Sequence, residues 1–91
     1  MAVIFPNPCR SFDANKNRVQ FWGYDSTIEI SFFIEGEALK MLCPDTTSTE
    51  AGYLKAFDTG LTRIHKTAGN MHVRSNKGSY SYILTVGDFL R

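Results

Sequence analysis

The chain has 91 residues, room for one domain (residues 1–91) but not for a linker and a second module. Its 43% hydrophobic and 13% aromatic content excludes a disordered chain, and a formal net charge of +1 supplies no bulk attraction to nucleic acid or anionic lipid. No apolar run approaches the roughly 20 residues of a membrane-spanning helix, and residues 1–6 lack the basic leader and apolar length of a signal peptide, so a cytoplasmic location is expected.

Residues 2–5 read as a short first strand ended by Pro6, and Pro6-Asn7-Pro8 forces an extended corner. From 9 to 17 an irregular segment is expected, with Phe12 as an anchor and a polar turn over 13–17.

Residues 18–34 carry the clearest pattern. Val19 and Phe21 fall on one face of an extended chain, with Arg18, Gln20 and Trp22 opposite. Ile28, Ile30, Phe32 and Ile34 then alternate with Thr27, Glu29, Ser31 and Phe33. Between the two runs, Gly23-Tyr24-Asp25-Ser26 reads as the turn of an antiparallel hairpin with one solvated face.

A short helix is expected over 37–43, with Ala38, Leu39 and Leu42 inward and Pro44 preventing its continuation. A long helix follows over 47–70. Thr47 and Glu50 match a capping box, and Leu54, Phe57, Leu61, Ile64 and Ala68 recur at spacings of three and four. Gly69-Asn70 supplies its stop. On the same helix Gly52, Ala56 and Gly60 form a row of small residues. Glycine inside a helix costs about 0.5–1 kcal/mol relative to alanine, so the row suggests a close neighbour: another element of this chain, or a second copy of this helix.

Residues 71–74 and 80–86 read as a second hairpin closed by 75–79, where Gly78 can take positive φ. Tyr80, Tyr82, Leu84 and Val86 share one face, and Phe89 is tucked in by a final helical turn. The fold class is therefore α+β: an antiparallel sheet of four to five strands from two hairpins, with one long and one short helix packed on one face.

Candidate chemistry is sparse. His65 and His72 are the two histidines, and no CxxC, HxxxH or histidine–carboxylate helix spacing accompanies them, so no metal site, cofactor or catalytic residue is assigned. Cys9 and Cys43 read as reduced thiols without an identifiable base. Glu35 and Glu37 have a sufficient role at a helix N-terminus. Charge is uneven: residues 25–50 hold six acidic side chains against Lys40, whereas 55–77 hold Lys55, Arg63, Lys66, Arg74 and Lys77 against Asp58. Fold proximity mixes such blocks. The sharper alternative is a dipolar molecule that self-associates or shows a basic face to an anionic partner.

Trp22 and Phe33 point away from the core, which favours a non-enzymatic interaction module, homodimeric or with an unidentified protein partner. The candidate surface comprises Arg18, Trp22, Tyr24 and Phe33 on the sheet, together with the helix row Gly52, Ala56 and Gly60. The alternative is a single-stranded nucleic-acid binder that stacks bases on the same aromatics, extended by Tyr80 or Tyr82 with Arg74 and Lys77.

Ile4-Phe5-Pro6, Val19-Gln20-Phe21-Trp22, Ile28-Glu29-Ile30-Ser31-Phe32 and Glu37-Ala38-Leu39, with the phrases FPNP, RSFD and FWGYD, resemble the small bacterial family catalogued as domain of unknown function 1488. The likeness spans most of the chain and rests on apolar positions and a strand–helix junction. It implies a bacterial α+β domain without an established activity, and it carries over no catalytic residue.

Overall fold

A computed structural model describes residues 3–6, 9–75 and 79–90. Among them are four strands and four helices: β1 (Arg10–Asp13), β2 (Arg18–Asp25), β3 (Ile28–Glu35), α1 (Gly36–Leu42), α2 (Glu50–Thr59), α3 (Leu61–Arg74), β4 (Ser81–Leu84) and α4 (Val86–Phe89). One sheet runs in the order β1-β2-β3-β4. Its first two pairings are antiparallel and its last, β3 with β4, is parallel. The α+β class read from sequence is the observed one.

The hairpin of β2 and β3 is in the expected register, but its turn is tighter. Pairing continues to Asp25↔Ile28, so Gly23, Tyr24 and Asp25 stay in the strand and Ser26-Thr27 make the turn, with Ser26 at φ 58°. Gly23 serves packing here. A Cβ at that position would lie 2.6 Å from Val3 Cγ1 and 2.7 Å from Phe5 Cε1, so only glycine lets this N-terminal segment lie over β2. Within that segment Ile4 forms a single antiparallel bridge to Tyr24. The first full strand is instead Arg10–Asp13, folded back through a turn in which Asp13 Oδ1 accepts from the Asn15 N–H and Asn17 adopts φ 51°. Asn7 and Pro8 of the expected corner, and Gly78, lie outside the described residues.

The expected long helix is two helices. Thr49, two residues beyond Thr47, is the N-cap, accepting from the Gly52 N–H at 3.0 Å. The break falls at Gly60. Thr59 Oγ1 bonds back to the Lys55 carbonyl, a contact that bends helices, and the Thr-Gly pair is a poor helix former. The second hairpin does not form, because α3 runs through Gly69-Asn70 to Arg74. His72 continues the buried stripe of Ile64 and Ala68 by four further residues, which keeps 71–74 helical. With three helices spanning the gap between β3 and β4, the last strand returns parallel to its neighbour, as crossover connections allow.

Helix side chains Leu39, Phe57, Ile64 and Phe89 close over Val19, Phe21, Ile30, Phe32, Ile34 and Leu84 of the sheet. Aromatic rings dominate this core, with centroid separations of 5.3 Å for Phe21–Phe32 and 5.1 Å for Phe21–Phe57. Phe12 does anchor β1, stacking on Tyr53 of α2, and Arg10 grips Asp58 of the same helix by two hydrogen bonds of 2.9 and 2.8 Å.

Candidate functional site

The strand registers assemble an uncovered sheet face. Side chains that alternate with the core residues point away from the helices, so Arg18, Gln20, Trp22 and Tyr24 of β2 lie beside Glu29, Ser31, Phe33 and Glu35 of β3. Phe33 is level with Ile83 of β4, and Trp22 with the small pair Ser31 and Ser81. Ile83 is 46% exposed, and Ile4, level with Tyr24 at the far edge, is 59% exposed. The Arg18 guanidinium lies 3.8 Å from the Phe33 ring centre while its Nε donates to Asp13 at 3.3 Å. The Tyr24 hydroxyl donates to Glu29. Arg18, Trp22, Tyr24 and Phe33 thus share one surface.

The helix row is elsewhere. Gly52 is built against the Thr47 backbone, Ala56 is 3% exposed with its carbonyl facing the Cys43 thiol, and Gly60 lies beside Leu42. The close neighbour suggested by these small residues is α1 and its following loop in the same chain. On the basic side, Tyr82 is turned into the core and Arg74 is helical, so these two do not extend the Trp22–Phe33 surface; Lys77 lies outside the described residues.

A second constellation was not foreseen. His72, 1% exposed, has Nε2 2.9 Å from Asp25 Oδ2 and Nδ1 2.7 Å from the Tyr82 hydroxyl. That hydroxyl is 2.6 Å from Ser75 Oγ, which also bonds the His72 carbonyl at 2.8 Å. With the Nε2–H tautomer, the ring donates to the carboxylate and accepts from the phenol. These residue types can move protons, but both ring nitrogens are occupied and the imidazole is sealed. The chain of bonds ties the end of the β2–β3 hairpin, the last turn of α3 and β4 together. The signal that could have located it is the spacing 64, 68, 72, which continues the buried helix stripe onto a histidine.

His65 stacks on Phe5 at 4.0 Å between centroids, and burial pushes its imidazole below the ordinary histidine range. Among the described residues no three His, Cys, Asp or Glu side chains gather as a metal site, and no helix is long and apolar enough to cross a membrane. Cys9 and Cys43 form no disulfide, and the Cys43 thiol faces the Ala56 carbonyl.

No curated protein matches the chain. The fold is similar to the crystal structure of a protein of unknown function from the DUF1488 family of Shewanella loihica PV-4, with a TM-score of 0.75 and 14% identity, covering 91% of each chain. The family model described as "Protein of unknown function (DUF1488)" matches residues 3–84, and the chain belongs to that family.

Proposed function

We propose that this protein is a non-catalytic interaction module that pairs with a second copy of itself through the uncovered sheet face. The observation that carries this reading is the placement of Trp22, Phe33 and Ile83 on the side of the sheet that the helices leave open. Size favours a second copy as the occupant. The face spans roughly 14 Å between its outermost strands and roughly 27 Å along β3. Raised side chains bring such a patch to the scale of the about 800 Å² that each partner loses in a standard interface. Shape favours it too: bulky Trp22 and Phe33 lie next to the small Ser31 and Ser81, so a two-fold axis sets knobs against hollows. A domain of this size also buries a modest core and gains from association. The setting is cytoplasmic, where Cys9 and Cys43 stay reduced.

Trp22 is the sole tryptophan, so its fluorescence reports this face directly. Dilution should shift its emission to the red and raise its quenching by iodide as the pair separates. Emission and quenching that stay constant from micromolar to millimolar protein would contradict the proposal.

A further inference from the structure

The helix layer carries a feature independent of the sheet face. Arg63, Thr67, Asn70 and Arg74 recur along α3 at steps of three and four, with Lys66 beside the line, on a flank of the helix next to the buried stripe of Ile64, Ala68 and His72. Beside them α4 forms the second wall of an open, mostly polar cleft of about 360 Å³. Arg63 is fixed at one end, donating to the Phe89 carbonyl at 3.0 Å. The wall's carboxylate, Asp88, is already engaged, since its Oδ2 accepts from both the N–H and the hydroxyl of Thr85. Among the described residues, no carboxylate lies within ion-pair distance of Arg63, Lys66 or Arg74.

We propose that the cleft between α3 and α4 binds a small phosphate monoester, with Lys66 and Arg74 holding the phosphate and Arg63 and Asn70 completing its hydrogen bonds. Three cations against one carboxylate leave an excess that matches a dianion better than a monoanionic carboxylate. Guanidinium forks and an ammonium are the donors that phosphate oxygens favour. The cationic stripe is confined to one helix of a chain with net charge +1, which suits a compact anion better than an extended nucleic-acid strand.

The test is an amide chemical-shift titration of the full chain with inorganic phosphate and with phenyl phosphate, at constant ionic strength set by sodium acetate. The expected result is saturable shifts confined to residues 63–74 and 86–90, with affinity weakened at least about tenfold by Lys66→Gln combined with Arg74→Gln. Both side chains are exposed, so the variant keeps its fold. Shifts that fail to saturate, that acetate reproduces, or that persist unchanged in the variant would overturn the site. So would length-dependent binding of oligothymidylate at these residues with no response to either phosphate.

Discussion

The two faces of the sheet are written by the same alternation, yet they meet different surroundings. Phe32 lies fully buried among Phe5, Phe21 and Tyr82 beneath the helices, whereas its chain neighbour Phe33 is half-buried, with the Arg18 guanidinium over its ring. Residue type therefore does not decide which aromatic belongs to the core. The position of the helices does, and an aromatic left outside them is available to another surface.

The largest expected effect comes from truncating the covered face. Phe32→Ala should cost about 3–5 kcal/mol in urea unfolding, through lost burial and the cavity left behind. Phe33→Ala, measured on the dilute monomer, should cost no more than about 1 kcal/mol, the scale of its contact with Arg18. Equal losses would erase the distinction between the faces.

Next is the buried polar chain. His72→Leu removes the buried ring that bonds both Asp25 and Tyr82 and should lower stability by about 1–3 kcal/mol. Tyr82→Phe should then cost less than it does beside an intact His72, because the bond to the ring is already gone while those to Ser75 and Ser79 remain, and a double-mutant cycle measures the difference. Strictly additive losses would show that the two side chains do not depend on each other.

Trp22→Ala sharpens the comparison from the open side. It should weaken self-association by about 2 kcal/mol, as expected of a central aromatic anchor, with little change in monomer unfolding. Thr49→Ala, which removes the α2 cap, should cost about 1 kcal/mol in thermal unfolding, and Thr47→Ala less.

The smallest effect is set by pH. Burial holds the His65 imidazole below its ordinary value near 6.5, so as pH falls the unfolded chain takes up this proton first. The contribution of His65 is complete above that ordinary value. It is lost as pH falls from there through the folded value, with no further loss below. His65→Phe keeps a ring against Phe5 and should flatten this arm in a plot of unfolding free energy against pH. An unchanged slope would place the titration elsewhere.

Much of this was legible because it is local. The alternation through 19–34 set the hairpin and the outward direction of Trp22 and Phe33, and the stripe Phe57, Ile64, Ala68 set the helical face. Other features depend on residues distant in the chain. Gly69-Asn70 looks like a helix stop until His72 is supplied with Asp25 and Tyr82, which lie 47 and 10 residues away. With 71–74 helical the second hairpin is lost, and β4 instead pairs with β3 in parallel, in a register that brings Ile83 level with Phe33. The cations of α3 were visible as a charge block. Their alignment beside α4 was not, because it needs the helix to run unbroken to Arg74.

Sedimentation equilibrium over a wide concentration range tests the role of the open face most directly. The predicted result is a species of twice the 10.3 kDa chain mass that Trp22→Glu converts to monomer without unfolding it. A wild-type chain that stays monomeric at millimolar concentration, or a dimer indifferent to Trp22→Glu, would contradict it.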